Sequence, residues 1–180
     1  MATDMTGVKA KISLVCNFEA AKAIDLSIPK ASFPVSKVFE FGFGDGAGEI
    51  DQIWWDRKEL NASATEPVDV FGGITNCFGV VASFTKVKLI LVLNRSDQAL
   101  DGHVAGDAVI TVGGVAALEF LGPFNTAGDA IDVPAGAPFL AFDPLGPGWT
   151  AAEATDILNI VNKDGVEKAL YDIVIGGISN

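Results

Sequence analysis

The feature that most constrains this chain is the run of short apolar segments separated by glycine- and proline-rich turns from Asp107 onward. Six such segments follow one another without an amphipathic helical pattern between them. Segments this short, with turns this frequent, are typical of antiparallel sheets packed face to face. The predicted strands are 108–112, 115–121, 130–133, 137–142, 156–161 and 169–175.

The stretch from Val80 to Asn94 predicts the central strand. Residues 84–88 alternate apolar with polar side chains, and residues 89–93 are apolar without a break. This pattern indicates a strand that is half exposed at its start and buried on both faces at its end. The turn-prone residues 94–97 follow, and the run is shorter than an ordinary buried helix, so we favour a strand.

The first half of the chain predicts further strands. They lie at 8–18, 35–43, 50–60 and 68–71, and an alanine-rich piece at 19–24 has the composition of a helical turn. Near the end of the chain, Asn162 to Gly165 has the composition of a hairpin turn. Together the segments predict an all-β fold, a jelly-roll-like β-sandwich of about ten short strands with little helix. We expect one domain over residues 1–180, in which 1–49 form an N-terminal arm or extra strands.

The amino-acid composition indicates which classes of partner this protein binds. Hydrophobic residues make up 49% of the chain, charged residues 19%, and the mean hydropathy is +0.39. So few charges predict an apolar surface that a homo-oligomer hides, and a thick-cored monomer is the alternative.

A net charge of −11 argues against nucleic acid as a partner. The apolar runs are too short for a membrane span, and the N-terminus lacks a secretory pattern, which predicts a cytoplasmic origin.

The glycine-rich segment Gly42 to Gly48 resembles a phosphate-binding loop only superficially. Such a loop joins a strand to a helix, whereas a strand pattern follows this one, so we predict a hairpin loop. A Ca²⁺ site formed by Asp45, Glu49 and Asp51 is the alternative, although their spacing does not match an EF-hand.

The remaining reactive side chains predict no chemistry. Cys16 and Cys77 are interpreted as small buried hydrophobes, with a structural disulfide as the alternative. His103 is the sole histidine, and we expect it to be exposed on a loop. The sequence therefore predicts no catalytic residue, cofactor or metal, and a protein that is not an enzyme.

The candidate interface centres on tryptophan and on cations. Trp54 and Trp55 are adjacent, so on a strand one of them faces inward and the other faces outward, where it either remains for a partner or lies under a neighbouring loop. Arg57 follows them, and Lys86 and Lys88 lie on the predicted half-exposed end of the central strand. The predicted interface residues are Trp54, Trp55, Arg57, Lys86, Lys88 and Trp149.

A series of short motifs, in order along residues 50–177, resembles a family of structural proteins from tailed-bacteriophage particles. The motifs are Asp51-Gln52-Ile53-Trp54-Trp55-Asp56-Arg57, Val68-Asp69-Val70, Phe84 with Lys86-Val87-Lys88, Val112-Gly113-Gly114, Gly122-Pro123-Phe124, Val133-Pro134-Ala135-Gly136, Gly148-Trp149, Asp156-Ile157-Leu158 and Tyr171-Asp172-Ile173-Val174-Ile175-Gly176. The first fifty residues carry none of them.

The resemblance implies a virion structural protein. Within that class we expect a head-decoration or cement protein that forms dimers or trimers with itself and binds the major capsid or other virion proteins. The alternatives are a tail or spike protein that contacts the host, and a lectin-like module that stacks sugars on Trp55 or Trp149.

Overall fold

The structure, a computed structural model, describes residues 8–19, 30–75, 79–114, 118–124 and 126–179, with the backbone alone for residues 8–19, 30–37 and 39. These residues form fourteen strands and no helix, which confirms the predicted all-β class and is consistent with a β-sandwich. In this part of the chain no helix has the length and apolar character to cross a bilayer. The strands are β1 (Val8–Glu19), β2 (Lys30–Phe43), β3 (Glu49–Ile50), β4 (Gln52–Leu60), β5 (Thr65–Asp69), β6 (Ile74–Thr75), β7 (Val81–Ala82), β8 (Phe84–Asn94), β9 (Ile110–Gly113), β10 (Ala130–Val133), β11 (Pro138–Phe142), β12 (Trp149–Thr150), β13 (Ile157–Asn162) and β14 (Ala169–Ser179).

Two antiparallel sheets make up the body of the protein. One has the strand order β10-β9-β13-β5, and the other has the order β11-β8-β14-β4 with β12 paired to β8. The second sheet confirms that the stretch ending at Asn94 is a central strand, since β8 lies between β11 and β14. Strands of two residues, such as β6, β7 and β12, account for most of the excess over the ten expected.

The core lies between the facing sides of these sheets. Alternate residues of β8 and β14 enter it, because successive side chains of a strand point to opposite faces. Alternate residues of β9 and β13 enter it from the other sheet. The fully buried members include Phe84, Ile90, Val92, Ile110, Val112, Leu158, Ile160, Tyr171, Ile173 and Ile175.

Two sequence predictions about turns and strands were wrong. The Asn162 to Gly165 turn is not a hairpin, because β13 and β14 belong to different sheets and the chain crosses between them there. The Asn162 amide group stabilises this crossing by donating to the carbonyl oxygens of Asn61 and Glu167 at 3.1 and 2.8 Å. Residues 118–121 of the predicted strand at 115–121 form a turn and a single bridge from Glu119 to Ile157.

Some predictions lie outside the described residues. The helical turn expected at 19–24 has only Glu19 described, and that residue ends β1. Cys77 is not described, and for Cys16 the structure gives the backbone, paired with Phe33.

A β-bulge shapes the middle of the β8–β14 pair. The register shifts between Gly176 and Gly177, so that Gly176 pairs with Leu89 but Gly177 pairs with Val87. A side chain at position 177 would place its Cβ 2.0 Å from the carbonyl oxygen of Lys86. Glycine is therefore required for the close approach of the two backbones at this bulge.

The buried hydroxyl of Tyr171 generates a stability prediction. Among the described residues it has no hydrogen-bond partner, and burial raises the pKa of this phenol above its ordinary value. We expect Tyr171→Phe to raise the free energy of unfolding by about 1 kcal/mol, because it removes an unsatisfied polar group while keeping the ring. Urea unfolding measures this change.

Ile173→Val is the matched control, since Ile173 is buried two positions along the same strand. That deletion of one methyl group should lower the free energy of unfolding by about 1 kcal/mol. A Tyr171→Phe variant destabilised as much as Ile173→Val would contradict the assignment of an unpartnered hydroxyl.

Candidate functional site

The β11-β8-β14-β4 sheet has a second apolar side, here called the outer face, which points away from the core. Its centre is one row of residues in register across all four strands: Leu140 pairs with Leu91, Leu91 with Val174, and Val174 with Trp55. The first three are half-buried, whereas Trp55 is 56% exposed. A continuous apolar row that ends in an exposed tryptophan is the kind of surface that partners bind.

One end of the outer face is covered by the chain itself. Phe41 from β2 and Ile50 from β3 pack with Leu89 of β8 in a small buried cluster, separate from the main core. Gly176 makes room for this cover, because a Cβ there would meet Ile50 Cδ1 at 3.3 Å. This cover explains why Leu89, whose neighbour Ile90 faces the core, is also buried.

The other end of the outer face carries an ion-pair network. Arg57 binds Asp172 with two hydrogen bonds, from Nε to Oδ1 at 2.6 Å and from Nη2 to Oδ2 at 3.1 Å. Arg95 Nε donates to Asp172 Oδ2 at 2.7 Å, and Arg57 Nη1 donates to Asp101 Oδ2 at 2.9 Å. The hydrogen bonds from Arg57 and then Arg95 lower the pKa of Asp172, although burial opposes them. Asp172 in turn is the main cause that raises the pKa of Arg57.

A second set of charges lies beside this network. Glu59 accepts one hydrogen bond from Lys168 Nζ at 2.6 Å and contacts His103 Nδ1 at 3.2 Å. Both contacts, led by that from Lys168, lower the pKa of the Glu59 carboxyl. The other ring nitrogen of His103 lies 3.4 Å from the carbonyl oxygen of Ser96. The imidazole therefore bridges β4 to the start of the loop that follows β8.

Two cavities open along this side of the sheet. One of about 580 Å³ lies by Glu59 and His103, one of about 520 Å³ lies by Trp55, and both are lined by Arg57 and Asp101. The result is a surface whose apolar row ends in an aromatic ring on the edge strand β4, beside an ordered set of paired charges. Its chemistry suits binding, because an apolar patch supplies affinity and fixed charges beside it supply direction.

The structure brings together only part of the predicted interface. Trp55 and Arg57 lie two residues apart on the outer face. Trp54 is buried, and its indole nitrogen donates to the carbonyl oxygen of Thr75 at 2.7 Å, so it belongs to the core and does not lie on the outer face. Trp149 is half-buried against the main core, and Lys86 Nζ donates to Thr150 Oγ1 at 2.6 Å. Those two residues lie at the β12 end of β8, away from the Trp55 row.

Lys88 and His103 were also placed wrongly. Lys88 was expected on a half-exposed end but is fully buried, and its ammonium group donates to the carbonyl oxygen of Gly46 at 2.6 Å. The bulge opposite Gly177 interrupts the alternation from which its exposure was predicted. His103 was expected to be exposed, but its ring is buried between Glu59 and Ser96.

Sequence reasoning missed Asp172, Asp101 and Glu59. Asp172 left a signal, since it interrupts the apolar pattern of the last strand. Its partners Arg57 and Arg95 lie 115 and 77 residues away, so the network is visible only after the strands are paired.

The glycine-rich segment forms a closed loop rather than a hairpin. β2 and β3 pair in parallel through Gly42 and Phe43, and the loop folds over Glu49, whose carboxylate accepts the Gly46 amide at 2.9 Å. Asp51 accepts hydrogen bonds from Ser179 at 2.7 Å. Two of the three carboxylates of the Ca²⁺ alternative, those of Glu49 and Asp51, are thus engaged in separate contacts. Within the described ranges no group of three His, Cys, Asp or Glu residues is placed to hold a metal.

The pKa of Asp172 generates a pH prediction. Because its folded-state pKa lies below the unfolded value, it contributes stability above about pH 4 that is lost as the pH falls through the folded pKa. We expect Asp172→Asn to lower the free energy of unfolding by about 1 kcal/mol at neutral pH. The variant should also lose stability less steeply than the wild type below about pH 4.

Denaturant unfolding from pH 7 to pH 2 measures both effects. Asp45→Asn, in the exposed part of the glycine-rich loop, is the matched control and should follow the wild-type curve. Parallel acid profiles for Asp172→Asn and the wild type would contradict the role given to this carboxylate.

Comparisons with known proteins supply no relative for this chain. No protein-family model, no curated protein and no solved structure matches it. A function for this chain therefore has to rest on its own residues and geometry.

Proposed function

We propose that this protein is a structural subunit of a tailed-bacteriophage particle, and within that class a capsid decoration or cement protein that stabilises the head shell. The observation that carries the proposal is the outer face, where an apolar row ends in the exposed ring of Trp55 beside an ordered ion-pair network. A protein that adds to an assembled shell needs such a surface, because it stabilises the shell only by binding it.

The order of the strands supports a finer description of the sandwich as a jelly roll. With the two-residue strands left aside, the sheets run β4-β14-β8-β11 and β5-β13-β9-β10. Every connection between consecutive strands of this set passes from one sheet to the other, except that from β9 to β10. Eight strands divided in this way form two interlocked Greek keys, which is the architecture of jelly rolls in many virion and lectin domains.

The ordered motifs over residues 50–177 support a virion role further, since they resemble structural proteins of tailed phages. In this proposal the partners are other copies of the chain and the major capsid or other virion proteins. The protein works in the virion after assembly in the host cytoplasm, and it acts neither on nucleic acid nor in a membrane. The net charge of −11 agrees with partners other than DNA.

Particle composition tests the proposal. We expect mass spectrometry of purified virions to detect the chain, and cryo-electron microscopy to place it on the head at a fixed ratio to the capsid subunit. Purified protein added to shells that lack it should raise the temperature at which they open by several degrees. Absence from virions would overturn the proposal, and density on the tail or a spike would replace decoration with host contact.

A carbohydrate-binding module is the second candidate, favoured by the cavity of about 520 Å³ in which Trp55 lies beside Asp101 and Asp172. Sugars stack on exposed aromatic rings and bond to carboxylates. A glycan array should then show hits that Trp55→Ala abolishes and Trp149→Ala retains. An array without hits would remove this candidate.

A further inference from the structure

We propose that the β1–β2 hairpin of one copy packs on the outer face of a second copy, over the row that ends at Trp55. The inference deepens the proposed function, on which it rests for the existence of an oligomer, by naming the surface through which copies meet.

The hairpin is too long to be stable without support. Its two strands are paired at twelve positions, from Val8 with Phe41 to Glu19 with Lys30, which corresponds to a ribbon about 40 Å long. Among the described strands β1 pairs with β2 alone, so its outer edge has no strand partner. A two-stranded ribbon in water is marginally stable, and a third layer or strand is needed to hold it.

The sequence and the register make this ribbon amphipathic. Residues that face each other across antiparallel strands share one face. Apolar residues occupy both members of five of the six alternate pairs, the exception being Ile12 with Lys37, whereas the pairs between them are mostly polar. The apolar pairs include Val8–Phe41, Ala10–Phe39, Leu14–Val35 and Cys16–Phe33, and the intervening pairs include Lys9–Glu40, Ser13–Ser36 and Asn17–Ser32.

The base of the ribbon shows what its apolar set binds. Phe41, which pairs with Val8, is 2% exposed because it packs on Leu89 and Ile50 at the covered end of the outer face. The rest of the outer face of the same copy is not covered in this way, because Trp55 remains 56% exposed. An identical outer face on a second copy therefore offers the apolar pairs beyond Phe41 the same kind of surface.

Charge favours a second copy as the occupant. β1 and β2 contain four lysines and two glutamates, a net charge of +2. Since the whole chain has −11, the remainder has −13. The hairpin is thus the cationic part of an acidic protein. It is attracted to the body of another copy, whereas two bodies repel each other.

Solution mass tests the contact. We expect the wild type to have a mass that is a multiple of 18.7 kDa by light scattering, and Trp55→Asp to have the mass of one chain. Val166→Asp is the matched control, because Val166 is 89% exposed in the β13–β14 connection and is not a member of the row that ends at Trp55. Circular dichroism shows that each variant is folded. A monomeric wild type, or a Trp55→Asp variant of wild-type mass, would overturn the proposal.

Hydrogen exchange tests the part played by the hairpin. In Trp55→Asp the amides of β1 and β2 should exchange at least about tenfold faster than in the wild type or Val166→Asp, because they lose the layer that holds them. If the mass falls while these amides stay protected, the hairpin is not the occupant. If the wild-type protein is monomeric but still binds phage shells, the contact between copies is wrong and the proposed function stands. If the protein forms the oligomer but is absent from virions, the proposed function is wrong and the contact between copies stands.

Discussion

The pairing of β8 with β14 is the interaction on which the rest of the structure depends. These two long strands form the middle of one sheet, and both of their faces are apolar. One face closes the core against the β10-β9-β13-β5 sheet, and the other carries the row from Leu91 to Val174. Because both strands must bury residues on two sides, the protein needs a cover for the outer face as well as a core.

Within the part of the chain that the structure describes, that cover is incomplete, and the proposed function rests on the surface left exposed. Phe41 and Ile50 bury Leu89 at one end, and the ion pairs of Arg57 with Asp172 order the other. Trp55 lies between them with more than half of its surface exposed. A large aromatic ring held on a rigid strand costs little entropy on binding, which is why such residues dominate the energetics of contacts between proteins.

Much of the fold could be predicted from the sequence, and little of the site. The positions of β8, β10, β11 and β14 followed from apolar periodicity and turn composition, because both are local properties. The environments of Lys88 and His103 were predicted wrongly, since each depends on contacts with distant segments. The bulge in the β8–β14 pair interrupts the alternation at Lys88, and His103, which lies in a loop, contacts Glu59, 44 residues away on β4.

The sequence by itself determined that one of two adjacent tryptophans faces the core, because side chains of a strand alternate. Only the tertiary structure decided that Trp54 is the buried one, since that choice depends on the register of β4 with β14 and on the Thr75 carbonyl that receives its indole. Likewise, the sequence determined strands rich in apolar residues. The path of the chain between the sheets decided which face of each strand packs on a second sheet and which face remains exposed at Trp55. Local sequence patterns do not encode that path.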